Sequence, residues 1–234
     1  RKSVVDEFMV PLMVQTRQCP HCSRQGSMYF EAIVQMKTGR KEIHAFFEER
    51  VQERTNKGMC ISKKMPVKES VHYYLTGQRH LRGIMQQLVD RFGGEIVVSK
   101  KLFSEDHLSS RNVYRVTVLY RPPEFQKGSV ILYNNRAMRV AGLGKTALLE
   151  DLETGATKKI AHYMNHSMNH MDLPLTALPV FPSTITKVRP HPEVLHPETY
   201  QSVRAGNASL PGDLRPGQTV DVVMWEEKVF IVQD

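Results

Sequence analysis

Residues 78–120 read QRHLRGIMQQLVDRFGGEIVVSKKLFSEDHLSSRNVYRVTVLY, and two periodicities follow one another there. Over 78–92, Leu81, Ile84, Met85, Leu88 and Phe92 recur at helical spacing on one face, and Gly93-Gly94 closes the run, glycine being the residue that lets a chain turn away from a helix end. Residues 95–103 and 112–120 are β-branched runs joined by a polar connection, which predicts an antiparallel pair of strands.

Upstream, residues 28–36 (MYFEAIVQM) alternate as a strand, and residues 41–56 place Ile43, Phe46, Phe47 and Val51 at helical spacing before Gly58. Residues 70–75 (SVHYYL) read as a second strand. The expected order is strand, helix, strand, helix, strand, strand, an α+β module over residues 26–126 that ends around Pro122-Pro123. Beyond it the texture changes. Residues 129–133, 137–141, 146–152 and 156–161 are short strands divided by Gly and Asn turns, which predicts a small barrel over 127–162. Residues 162–183, rich in His, Met, Asn and Pro, lack periodicity and read as a loop. Residues 184–188, 200–204, 219–225 and 228–232 are further strands, so 163–234 holds a second β unit or completes the first.

The chain has 234 residues, enough for two or three small modules with cores of their own. No apolar run approaches the roughly 18 to 20 residues that cross a bilayer as a helix, and no signal-peptide block is present, which points to an intracellular, cytoplasmic protein with no membrane partner. Three cysteines, two of them Cys19 and Cys22, do not make a disulfide scaffold. A start at Arg1 without Met points to a fragment.

The net charge of +8 is unevenly placed: residues 1–126 hold 21 Lys plus Arg against 13 Asp plus Glu, while residues 127–234 hold 11 of each. Basic pairs recur in the first half at Arg40-Lys41, Lys63-Lys64 and Lys100-Lys101, interleaved with Tyr29, Phe30, Tyr73 and Tyr74. Cations neutralise phosphates and rings stack on unpaired bases, so this composition suits an RNA partner. It equally suits a solvated helix face over core aromatics. The candidate RNA-binding residues are Arg24, Arg40, Lys41, Lys63, Lys64, Lys100, Lys101 and Lys145.

Three motifs bear on chemistry. Cys19-Pro20-His21-Cys22 is half of a tetrahedral zinc site and needs two more ligands, which no second CxxC supplies, so no cofactor is expected in this chain. Gly142-Leu143-Gly144-Lys145-Thr146 resembles the end of a phosphate loop, but Arg139 stands where the leading Gly belongs and strands flank the segment. A hairpin tip offering Lys145 to RNA is the better reading. His162, His166 and His170 recur every four residues, as metal ligands on one helix face do, and a polar loop accounts for them as well. No Ser/His/Asp, Cys/His or paired-carboxylate arrangement stands out, and no enzyme is expected.

Cys19-Pro-His-Cys-Ser-Arg24 followed by Tyr29-Phe-Glu-Ala-Ile-Val-Gln35 resembles the knuckle and strand of the nonsense-mediated-decay protein three family, the large-subunit export adaptor of eukaryotes and its archaeal relatives. The likeness continues through Arg91-Phe-Gly-Gly-Glu95, Ser99-Lys-Lys-Leu102, Tyr114-Arg-Val-Thr-Val118, Arg121-Pro-Pro, Lys127-Gly128 and Leu195-His-Pro-Glu-Thr-Tyr200. It implies binding to the joining face of the large ribosomal subunit, through rRNA and ribosomal proteins, during maturation or quality control. It also implies a C-terminal part made of an SH3-like and an OB-like barrel, similar to translation factor five-A. Family members carry an N-terminal zinc array, of which residues 1–25 would be a remnant, with zinc in the full-length protein. The missing export signal matches the archaeal type. Lys145 occupies a barrel tip like that of the modified lysine in factor five-A, but its neighbours do not match, and no modification is expected. A monomeric, non-enzymatic ribosome-binding factor is the leading reading. A protein-binding adaptor with little RNA contact is the alternative, and a metal-dependent hydrolase built on the His loop is the third.

Overall fold

A computed structural model describes residues 6–16, 18, 27–106, 111–161, 163–164, 175–208 and 213–232, and its strands form three five-stranded sheets. The first unit runs β1 (Ala32–Met36), α1 (Lys41–Gln52), β2 (Ile61–Val67), β3 (Ser70–Leu75), α2 (Leu81–Phe92), β4 (Glu95–Asp106) and β5 (Arg111–Arg121). Its strand order is β2-β3-β1-β5-β4, with β1 parallel to β5 and every other neighbour antiparallel. Alternate residues Ala32, Val34 and Met36, Tyr73 and Leu75, and Val116, Val118 and Tyr120 are buried against Ile43, Phe47 and Val51 of α1 and Leu81, Ile84, Met85 and Leu88 of α2. The apolar stripe predicted over 78–92 is the face that makes this contact. Since both helices serve one face, the other side of the central strands stays partly exposed: Ile33, Gln35, His72, Tyr74, Thr117 and Leu119 are none of them buried.

Several local expectations change. The first strand starts at Ala32 rather than residue 28, and β4 runs on to Asp106 rather than ending at 103. The first helix stops at Gln52, and a 3-10 turn at Thr55–Lys57 leads to Gly58, whose φ of +83° and N–H bond to the Thr55 carbonyl end it. Thr55 and Asn56 are weaker helix formers than the residues before them, so the last turn tightens instead of continuing. The second helix begins at Leu81 rather than 78: residues 79–80 form a turn closed by the Leu81 N–H on the Gln78 carbonyl, and the Gln78 side chain donates to the Tyr114 carbonyl at 3.2 Å. An additional strand, β2, precedes β3. Its sequence ISKKMPV carries a lysine pair and Pro66, the marks of an edge strand that hide it from a pattern search.

The second sheet is the meander β6 (Val130–Tyr133), β7 (Arg136–Gly142), β8 (Thr146–Asp151), β9 (Thr157–Ala161), as expected between 129 and 161, with β10 (Thr176–Ala177) paired to β6. It thus takes its fifth strand from beyond residue 162. Asn134 and Asn135, with φ of +49° and +61°, make the two-residue β6–β7 turn. The third sheet has the order β13 (Ser202–Arg204), β12 (Glu193–Leu195), β11 (Val180–Lys187), β14 (Thr219–Trp225), β15 (Lys228–Val232), and a bridge between Ala205 and Val229 brings its two ends together into a barrel-like form. β12 was not expected, since Pro192 and Pro197 on either side leave it only three residues. After it the His196 Nδ1 accepts the N–H groups of Glu198 and Thr199, which shapes the Leu195–Tyr200 motif into a turn.

Val130, Ala137 and Leu152 of the second sheet share one apolar cluster with Val223 and Phe230 of the third. The second sheet meets the first unit through Tyr163, whose hydroxyl accepts the Gly94 N–H at 3.0 Å and donates to the Gly144 carbonyl at 2.6 Å. No helix among the described residues is long and apolar enough to cross a membrane.

Candidate nucleic-acid interface

A strand alternates its side chains between two faces, so adjacent lysines in a strand cannot share one. In β2 the register pairs Lys63 with Tyr74 and Lys64 with Tyr73. Tyr73 is buried under α1, which puts Lys64 on the helix side and Lys63 on the open face. In β4, Lys101 lies opposite Arg115 on the open face, and Lys100 lies opposite Val116 on the helix side. Of each basic pair picked out in the sequence, the fold therefore brings one member, Lys63 and Lys101, to a common surface and sends the other away.

Lys64 is also engaged. Its Nζ donates to the Glu48 Oε1 at 2.6 Å, the Tyr73 hydroxyl donates to the same oxygen at 2.7 Å, and the His44 Nδ1 lies 2.9 Å from the Tyr73 hydroxyl. Burial would raise the Glu48 carboxyl, but the hydrogen bonds from Lys64 and Tyr73 outweigh it and hold it below its ordinary value. The Tyr73 phenol is pushed far up, first by burial and then by the carboxylate it serves. Arg40 bonds Glu42 through Nε at 3.0 Å and lies over Phe92, which makes it part of the helix start rather than an open cation. Lys41, the first residue of α1, is exposed on the helix side.

The open face carries a row that runs from β2 to β4, with Phe30, two residues before β1, near its middle. Lys63 Nζ sits 5.9 Å from the Tyr74 ring, Tyr74 meets Phe30 edge to face at 5.0 Å, and Arg115 lies between Phe30 and Phe103. The Arg115 Cζ is 4.0 Å from the Phe30 ring centroid and 3.4 Å from that of Phe103, and its Nε donates to the Phe30 carbonyl at 3.2 Å. Lys101 flanks it across the β4–β5 ladder. Four strand spacings make the row about 19 Å wide. Glu31, beside Phe30, is the acid at this end, and it accepts the Tyr29 hydroxyl at 3.0 Å.

Arg115 and Phe103 were not picked out in the sequence. Alternation in 112–120 separates Arg115, Thr117 and Leu119 from the buried Val116, Val118 and Tyr120, and a charged residue inside a strand was the available signal. Phe103 has none: it is the extra residue of a bulge between Leu102 and Ser104, with no residue of β5 to itself.

Lys145 is exposed on the β7–β8 turn, but that turn rests on the first unit: a Cβ on Gly144 would meet the Asp90 carbonyl at 3.5 Å. Arg24, Cys19, Cys22, His162, His166 and His170 lie outside the described residues. Among the described residues no group of three or more His, Cys, Asp or Glu could hold a metal ion. The lowered carboxyls, Glu48, Asp151 and Glu193, each have their own basic and hydroxyl or backbone partners and do not pair with one another.

No curated protein matches the chain. Residues 29–121, which begin beside Phe30 and end on the last residue of β5, match the family model described as NMD3, second domain. The match spans the whole helix-backed sheet that carries the row, so this unit is similar to the second domain of NMD3.

Proposed function

We propose that the chain is a non-enzymatic, cytoplasmic factor that binds the joining face of the large ribosomal subunit during its maturation or quality control, with the first unit contacting rRNA through its open sheet face. The NMD3 family is associated with the large ribosomal subunit in an adaptor role. The observation that carries the RNA part is the row itself: three cations, Lys63, Arg115 and Lys101, interleaved with Tyr74, Phe30 and Phe103 on a sheet face left free by both helices. Flat rings and fixed cations on an uncovered sheet are the surface that phosphates and unstacked bases bind. The two barrel-like sheets, equal in acidic and basic residues, supply shape and protein contacts.

One observation favours additional protein contact. On the helix side beyond α2, Val98, Leu102 and Tyr114 are 54%, 54% and 42% exposed, an apolar margin that phosphate would not seek. Sedimentation with purified large and small subunits across a salt series tests the proposal. Selective large-subunit binding that weakens steeply with salt supports it, and salt-independent binding would replace RNA contact with protein docking.

A further inference from the structure

Arg40, Arg50, Arg54, Arg136 and Arg139 each face a carboxylate, whereas Arg115, like Arg91 over Phe46 and Phe92, is held by rings, and its terminal nitrogens have no hydrogen-bond partner among the described residues. Yet its guanidinium lies between two rings and is anchored at Nε, so it is pre-set at a cost in side-chain freedom that no internal ion pair explains. Phe103 reaches it only because the ladder bulges at that residue, and with one ring face on the guanidinium it is still 51% exposed, which leaves its other face to solvent.

We propose that Arg115 and Phe103 form a site for one unpaired RNA nucleotide, its base stacked on the outer face of Phe103 and its phosphate forked by the free nitrogens of Arg115, with Lys101 alongside. The inference rests on the RNA-contact reading above and adds to it the state of the RNA. A planar guanidinium offers two parallel donors to a phosphate, and an exposed ring offers a base a surface independent of its sequence. A paired base in a duplex has both faces covered and cannot reach such a ring. Tyr74 and Phe30 continue the platform for the neighbouring nucleotides, since the row is longer than one base.

The test is fluorescence anisotropy of the whole chain with a labelled single-stranded oligoribonucleotide, the same sequence as a duplex, and a phosphorylated peptide of equal charge. The single strand should bind at least about tenfold more tightly than the duplex, and Phe103→Ala should weaken it by about tenfold, while Phe103→Trp retains binding. Arg115→Lys, which keeps the charge but loses the planar fork, should weaken it as well. Phe103 is exposed, so its variants should fold normally, and an unchanged melting curve verifies that. Equal affinity for single strand and duplex, indifference to Phe103→Ala, or preference for the phosphopeptide would overturn the site. Salt-dependent large-subunit binding that survives any of those results leaves the proposed function standing, whereas loss of subunit binding in the unaltered chain removes that function first.

Discussion

The division of the lysine pairs can be tested on its own. Replacing Lys63 and Lys101 by Ala removes two of the three cations in the open-face row, and replacing Lys64 and Lys100 removes the same charge from the same strands but from the helix side. Each lysine that neutralises an rRNA phosphate contributes roughly 0.7 to 0.9 to the log-log salt slope, so the first double variant should lose about 1.4 to 1.8. Because the counterion term vanishes near 1 M salt, that slope corresponds to about fifteen- to thirtyfold in affinity at about 0.15 M. The second double variant should leave the slope almost unchanged. It also breaks the exposed Lys64–Glu48 pair, which costs stability of about 0.2 to 1 kcal/mol at most, since Glu48 keeps the Tyr73 hydroxyl. The assay is sedimentation with purified large subunits between about 50 and about 200 mM salt, with the two variants compared at equal net charge. If Lys64 and Lys100 flatten the slope as much as Lys63 and Lys101, binding follows overall charge rather than a face, and the reasoning fails.

Other outcomes follow from the packing. Asp151 is 4% exposed and accepts from Arg136 and from the N–H groups of Glu153 and Thr154; Asp151→Ala should cost about 1 to 3 kcal/mol in urea unfolding by removing the charged acceptor of these three hydrogen bonds. Burial would raise that carboxyl, but the Arg136 and backbone bonds hold it below 3.8, so its stabilisation is complete above that value and is lost as the pH falls through the lower folded value. Asp151→Asn should therefore flatten acid unfolding in that window. Gly94 has a φ of +103°, and a Cβ there would lie 2.4 Å from the Arg121 carbonyl; Gly94→Ala should cost about 2 kcal/mol or more, read as a drop in melting temperature. Val118→Asp, at a position 3% exposed under the helices, should abolish folding by circular dichroism, while Val98→Asp, 54% exposed on the same side of the sheet, should change stability by less than about 0.5 kcal/mol.

Much of the first unit could be read without coordinates because its information is local. The stripe in α2 and the β-branched runs of β4 and β5 repeat within a few residues, and burial follows that repeat directly. The same holds for the β14–β15 hairpin, whose bounds were those expected. The strands that escaped did so for the converse reason. β2 and β10 lie at sheet edges and β12 has only three residues between two prolines, so their residues carry no strong pattern.

Composition and periodicity establish a basic, aromatic first half of strands and helices and a neutral, strand-rich second half. They could not rank the basic residues, because charge is a property of a residue and a surface is a property of many. Tertiary structure separated Lys63 from Lys64 and Lys100 from Lys101 and brought Phe30, 85 positions before Arg115, onto its guanidinium. A bulge set Phe103 on the other side of it. The row exists only because β1 lies between β3 and β5, a pairing set by the burial of both helices against one face, which leaves the other for whatever the cations and rings will bind.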